Sequence, residues 1–459
     1  LFRCQDNNKL KNMEPCKRAP LLPVLLALPA LLTVLPACLG AQAGSAGLHP
    51  VAGGLPGFQP SETAERLAPM AEPLSAEAFL QAALAFSGAR GPGLEEARAR
   101  VRALAAEAVA EIAAQSAAGP GSGSVRARAE GLLQLLHRRA FRQYDERQTR
   151  LDELLATGRF NCVSSAVLYG LLARFLGLEF RAVQTADHAF IRVLAGAQGW
   201  DVETTNLYGF DPGSRREFTD SFGRVTGYSY VPPGQYARRR ELGDKGLLSL
   251  ILYNRNAYDT EAGRYLEALQ PAVDAHAVRR DSESLERLTL SSLNVASFYG
   301  RAGRYEEGTR FLEEAARGLE DPRLARVRED LLHNWAVSLI QAGRLEEAQE
   351  LIDRRRAGGG LPEEEWRSLG VSIWQLRARE VSRRDFGEAA RILLEALRSL
   401  GPEPGLVSGY EVYVHNQMAS LVNSGRVEEA RRVLREALRV LPASSLLRED
   451  EARLASRHE

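Results

Sequence analysis

Cysteine is scarce in this chain of 459 residues: there are four, and three of them, Cys4, Cys16 and Cys38, precede residue 40. If the N-terminal segment is removed on export, Cys162 alone remains, which excludes an intramolecular disulfide framework. No spacing of cysteine and histidine resembles a zinc site, and no glycine-rich loop of the phosphate-cradling kind is present. Neither a metal nor a cofactor is therefore expected. Surplus charge is also missing, because 59 basic residues balance 59 acidic ones. A neutral chain has no global field to draw in nucleic acid or an anionic membrane.

What is present suits a globular protein of two or three domains, with 45% hydrophobic and 26% charged residues. The first methionine, Met13, precedes a basic pair, Lys17 and Arg18, and a charge-free apolar run from Leu21 to Leu39. Residues 1–12 read as upstream sequence, and residues 13–43 as a secretory signal ending in the small-x-small pattern Ala41-Gln42-Ala43. The expected destination is the periplasm or cell envelope. Pro23, Pro29 and Pro36 weigh against a permanent membrane span. A lipoprotein signal, with Cys38 as the acylated residue, is the second choice and the one expected route to a membrane.

Residues 44–73 begin with a Gly, Ala and Pro-rich stretch and read as a flexible linker. From residue 74 the chain is first helical. Ser124 stands at an N-cap ahead of Leu132, Leu133, Leu135 and Leu136. Between Leu151 and Thr205 one strongly apolar helix, Val163 to Leu176, is followed by short runs rich in β-branched and aromatic residues, 180–184, 188–194 and 200–205. This is α+β patterning, and the expected domain covers 74–245.

Residues 246–459 contain an internal repeat. The motif GRYLEA at Gly263 recurs as GRYEEG at Gly303, GRLEEA at Gly343, RDFGEA at Arg384 and GRVEEA at Gly425, at spacings of 40, 40, 41 and 41 residues. In four units a glycine ends one helix; in all five an aromatic or aliphatic residue opens the next, and a small residue three positions later lets helices approach. The array resembles TPR repeats with lengthened helices. HEAT-type arrays are the structural alternative.

Chemistry is concentrated in the α+β stretch. Cys162 follows Gly158-Arg159-Phe160-Asn161 at the head of the buried helix, where backbone N–H groups and the helix dipole favour a thiolate. His188 opens a strand and is the candidate proton carrier, whereas His137, followed by Arg138 and Arg139, reads as a surface residue. The next strand offers Asp201 and Glu203, two residues apart and so on one face. A turn at Gly196-Ala197 would place both on the face of His188 with Glu203 the nearer, while a longer loop would bring Asn206 there instead. Tyr228 to Pro233 could line a cleft or form an edge strand, and Arg238, Arg239 and Arg240 read as a solvated charge run.

These residues, Gly158-x-x-x-Cys162 with the helix after it, His188-Ala189-Phe190-Ile191 and Trp200-Asp201-Val202, resemble the core of the transglutaminase-like superfamily over roughly residues 127–206. The resemblance implies an α+β transglutaminase/papain-like cysteine domain, followed here by an all-α TPR-like helical repeat array. It implies Cys162 as nucleophile, His188 as base, and Asp201 or Glu203 as the acid. The function expected is a thiol hydrolase or acyl transferase acting on an amide or ester, with the repeats recruiting a peptide or protein. The alternative is an inactive scaffold whose repeats mediate protein–protein interaction.

Overall fold

A helix that is apolar on every side must be covered on every side. That requirement organises the first part of the molecule. The structure, a computed structural model, describes residues 57–116, 123–213, 216–226, 239–357 and 363–455. The expected signal at 13–43, the acylation site Cys38 and the segment Tyr228 to Pro233 lie outside the described residues.

In chain order the first elements are α1 (Glu62–Leu67), α2 (Ala76–Ser87), α3 (Gly91–Ser116), α4 (Val125–Arg139), β1 (Gln143–Tyr144), α5 (Leu151–Thr157) and β2 (Arg159–Phe160). Then come α6 (Cys162–Phe175), β3 (Glu179–Gln184), β4 (Ala189–Ala195), β5 (Gln198–Val202), α7 (Arg216–Thr226), β6 (Arg240–Leu242), α8 (Asp244–Glu261), α9 (Tyr265–Arg279) and α10 (Ser282–Arg301). Helix α6 is the covered helix. Its residues from Cys162 to Ala173 are all buried, and it packs against α2, α3, α4, α8 and strands β3 and β4.

The larger sheet is antiparallel in the order β5-β4-β3-β6. Strands β4 and β5 pair Ala195 with Gln198, so their hairpin turns at Gly196–Ala197. Gly196 takes φ +58°, a left-handed conformation that costs glycine little. The second sheet is a two-residue parallel pair, β1 with β2.

The expectation of a separate α+β cysteine domain over 74–245 is overturned. About 71% of the described residues are helical, and the few short strands sit in a predominantly helical body. No seam exists near residue 245. Helix α8, expected to open the repeat array, contributes Leu247, Leu248, Ile251 and Tyr253 to the same core as α6. At its first residue Asp244 accepts from Arg174 of α6 at 2.8 Å and from the Leu74 backbone at 2.7 Å. This carboxylate is fully buried, so its two strong partners are needed to offset its desolvation. An apolar helix with one small sheet on one side draws its remaining cover from helices before it, α2, α3 and α4, and from α8 after it.

The chain divides instead at Asn294/Val295, within α10. The expected linker is also shorter than 44–73: Ser61 caps α1, its backbone N–H donates to Asp274 at 2.7 Å, and Leu67 is buried.

The second unit contains helices packed in sequence: α11 (Tyr305–Ala315), α12 (Pro322–Gln341), α13 (Leu345–Ala357), α14 (Glu363–Ser382), α15 (Phe386–Leu400), α16 (Pro404–Asn423), α17 (Val427–Val440) and α18 (Ser445–Ala455). The repeat motif marks the tight turns within helix pairs. Gly343, at φ +74°, lets the chain reverse after α12, with Arg344 N–H returning to the Leu339 carbonyl at 2.9 Å. Three residues into the helix after each motif, Ala268, Gly308, Ala348, Ala389 and Ala430 are all buried where helices approach. Among the described residues no helix is long and apolar enough to cross a membrane.

Candidate active site

The site begins with the start of α6. Asn161 is its N-cap: Oδ1 accepts from the backbone of Val163 at 3.0 Å and Ser164 at 2.9 Å, and Ser164 Oγ accepts from Asn161 N–H at 2.9 Å. This reciprocal cap stops the helix one residue before Cys162 and places the thiol in its first turn. Just upstream, Gly158 at φ +78° ends α5, and a β-carbon there would stand 2.6 Å from the Arg142 side chain. Glycine is required at that turn.

The imidazole arrives from the other side. The loop 185–188 joins β3 to β4, and Thr185 N–H donates to the His188 carbonyl at 2.9 Å. His188 Nε2 lies 2.5 Å from Glu203 Oε2, and the ring also interacts with the nearby Cys162 thiol. With Nε2 engaged by the carboxylate, Nδ1 is the nitrogen left to exchange a proton with the thiol. Burial works against a charged imidazole, but the Glu203 charge, the interaction with Cys162 and the hydrogen bond to Glu203 outweigh it. The pKa of His188 is held well above its ordinary value.

Glu203 is itself held. Its Oε1 accepts from Thr205 N–H at 3.1 Å and from Thr205 Oγ1 at 2.7 Å, which leaves Oε2 for the imidazole. Thr204 ties the same segment to α6 through Ser165, Oγ to Oγ1 at 2.8 Å, and Ser165 also donates to the Cys162 carbonyl at 3.2 Å. The nucleophile helix and the acid are thus locked together one residue from Glu203 and one helical turn from Cys162.

The structure brings Cys162, His188 and Glu203 together and keeps Asp201 apart. Asp201 pairs across the hairpin with Arg192 at 3.1 Å and takes a two-pronged contact from Arg239, at 2.6 and 2.8 Å. Arg239 was read as part of a solvated charge run, yet it is the principal partner of this carboxylate and lies over the Phe190 ring. Asn206 also faces elsewhere, donating to Ser221 Oγ at 2.8 Å and accepting from Tyr208 N–H at 2.9 Å.

His137 differs from its surface reading. Its ring stands against Phe141 and Phe160, and Nε2 lies 3.2 Å from the Thr204 carbonyl. Burial pushes its pKa down to about 4 despite that contact and the nearby Glu203 charge. His137 and Phe160 line a cleft of about 440 Å³ together with Thr205, Asn206, Leu207 and Tyr208. The cleft reaches Phe160 and Thr205, two residues from Cys162 and Glu203 respectively, but the thiol itself is fully buried, and Phe222 of α7 meets the His188 ring edge-on at 5.9 Å.

Two further residues were not visible in the sequence. Thr205 could have been suspected from its place two residues after Glu203, where short polar side chains bond locally. Tyr258 gave no signal. It lies on α8, donates to the Glu146 carbonyl at 2.7 Å and so meets the same carbonyl as Asn161 Nδ2. Burial, then the nearby Cys162, raise its pKa. Among the described residues no three His, Cys, Asp or Glu side chains are grouped as a metal ion would require.

No protein-family model and no curated protein matches the chain. Among solved structures it has a faint likeness to menin, in a crystal structure that reveals that protein's binding site for Mixed Lineage Leukemia (MLL) protein. Identity is 11%, the TM-score is 0.23, and the match covers 75% of this chain and 93% of that one. A likeness at this level supports no conclusion about fold or function.

Proposed function

We propose that the chain is a thiol hydrolase or acyl transferase in which Cys162 attacks the carbonyl of an amide or ester. The observation that carries this reading is the position of His188, 2.5 Å from Glu203 and close enough to Cys162 for the two to interact. A nucleophile, a proton carrier and a group that orients it are what covalent acyl transfer needs.

In the first step the Cys162 sulfur bonds to the acyl carbon. The amine or alcohol leaves with a proton from the His188 imidazolium, and a thioester remains. In the second, water or an amine gives its proton to His188, bonds to the same carbon and breaks the carbon–sulfur bond. Glu203 keeps the imidazole in orientation and stabilises its charged form throughout. This is the chemistry that the transglutaminase-like resemblance at Cys162 and His188 implies. Export to the cell envelope, resting on residues 13–43, and recruitment of a peptide or protein by the helix pairs of the second unit belong to the same proposal.

A second reading, an inactive scaffold, is favoured by one observation: the thiol has no exposed surface in this conformation. Turnover of a small p-nitrophenyl ester separates the two. The enzyme reading expects multiple turnovers by the native chain, lost in Cys162→Ala. Equal background release by both proteins would support the scaffold.

A further inference from the structure

The repeat unit contains a cavity of about 220 Å³ between α13, α14 and α15, lined in part by Gln349, Arg356, Trp366, Arg367, Trp374 and Arg377. Trp366 is 3% exposed, and its indole N–H has no hydrogen-bond partner among the described residues. The His333 ring stands near it, 6.5 Å between centroids, without pairing with it. Gln349 Oε1 is also buried and unpartnered among the described residues, while Nε2 of the same amide is used on Asp353 at 2.9 Å. A buried donor and a buried acceptor left unmet in one cavity each carry a desolvation cost that a ligand can relieve.

The lining itself carries more positive than negative charge, while three further acids, Glu346, Glu363 and Glu403, stand beside it. Arg356, Arg367 and Arg377 face a single lining carboxylate, Asp353. Their acidic partners are held loosely: Arg356 to Glu363 at 3.4 Å, Arg367 to Glu363 at 3.5 Å and to Glu403 at 3.7 Å, and Arg377 to Glu346 at 3.6 Å. Contacts of this length between half-exposed groups contribute little and leave the guanidinium groups able to take a better-aligned anion.

We propose that this cavity binds an acidic side chain of a peptide segment, its carboxylate among the arginines and Trp366 N–H, and a neighbouring peptide N–H donating to Gln349 Oε1. The acceptor favours a peptide, which brings a carboxylate and a neighbouring N–H together within one residue, whereas a phosphodiester offers acceptors alone and needs a base or ribose donor besides. The proposal rests on the partner-binding part of the function above and holds whether or not Cys162 reacts.

The test uses the full chain and a fluorescein-labelled peptide of Asp, Glu and Gly, followed by anisotropy. We expect binding that weakens with salt, weakens about ten-fold or more when Asn and Gln replace the acids, and weakens about five-fold or more in Trp366→Phe and in Arg367→Gln. In the native chain labelled with ¹⁵N at tryptophan, the indole resonance assigned by its absence from Trp366→Phe should move downfield on adding the peptide, a readout taken on the native chain itself. Equal affinity for Trp366→Phe with an unmoved resonance would overturn the pocket while leaving recruitment elsewhere on the array. No binding of either peptide would overturn the proposal. So would tight binding of a single-stranded RNA of equal charge in place of the acidic peptide.

Discussion

Glu203 and Asp201 stand two residues apart, yet Glu203 meets His188 at 2.5 Å while Asp201 is taken up by Arg239 and Arg192. One carboxylate faces the reacting groups, and the other clamps the chain that returns to β6.

The two acids should therefore separate in mutagenesis. Glu203→Gln removes the charge that sustains the imidazolium and should lower acylation of Cys162 by about 10- to 100-fold with a small change in melting temperature. Asp201→Asn should leave the acylation rate within about two-fold and cost about 1–3 kcal/mol of stability, through the loss of charged hydrogen bonds. Ester turnover and thermal unfolding on both variants check this.

The two partly buried histidines should give pH profiles of opposite sense. Unfolded, His137 takes up its proton near pH 6.5, whereas in the folded chain it resists down to about pH 4. Its contribution to stability is thus full above about pH 6.5 and falls by up to about 3 kcal/mol as the pH drops toward 4. For His188, whose folded value is raised, the contribution is full below about pH 6.5 and is lost as the pH rises through that raised value. Denaturation midpoints measured from pH 4 to 9 should flatten on the acid side in His137→Gln and on the alkaline side in His188→Gln.

Asn161 should matter to both fold and site. Its side chain accepts two α6 backbone N–H groups and donates to the Glu146 carbonyl at 3.0 Å. Asn161→Ala should cost about 1–2 kcal/mol, as loss of a helix cap does, and should slow acylation because the cap positions the first turn. Asn161→Ser retains a capping oxygen and should recover most of the stability. Urea midpoints with parallel labelling rates distinguish these outcomes.

Much of the site could be read from local pattern, and most of the architecture around it could not. A helix starting after Asn161, a strand entered from His188 and a turn at Gly196–Ala197 follow from neighbouring residues, because caps, turns and strand alternation act over a few positions. Helix α8 was misread because an amphipathic helix next to a repeat looks like part of it. Only the three-dimensional arrangement shows Asn254 donating to Thr149 at 3.1 Å, Arg255 to the Phe86 carbonyl at 2.6 Å and Tyr258 to Glu146. Burial of His137 was hidden for the same reason: the rings that cover it come from residues after it in the chain, and the carbonyl it meets lies 67 positions away. The fold class failed on proportion, since short β-like runs say where strands lie but not how much helix surrounds them.

The most direct test is transfer of an acyl group to Cys162, followed by intact-protein mass spectrometry in native, His188→Gln and Cys162→Ala chains exposed to one p-nitrophenyl ester. Cys162 and His188 acting as a pair should give an adduct on the native chain that disappears with turnover, at least about 100-fold slower adduct formation in His188→Gln, and none in Cys162→Ala. Equal acylation of the native and His188→Gln chains would show an ordinary thiol and contradict the account.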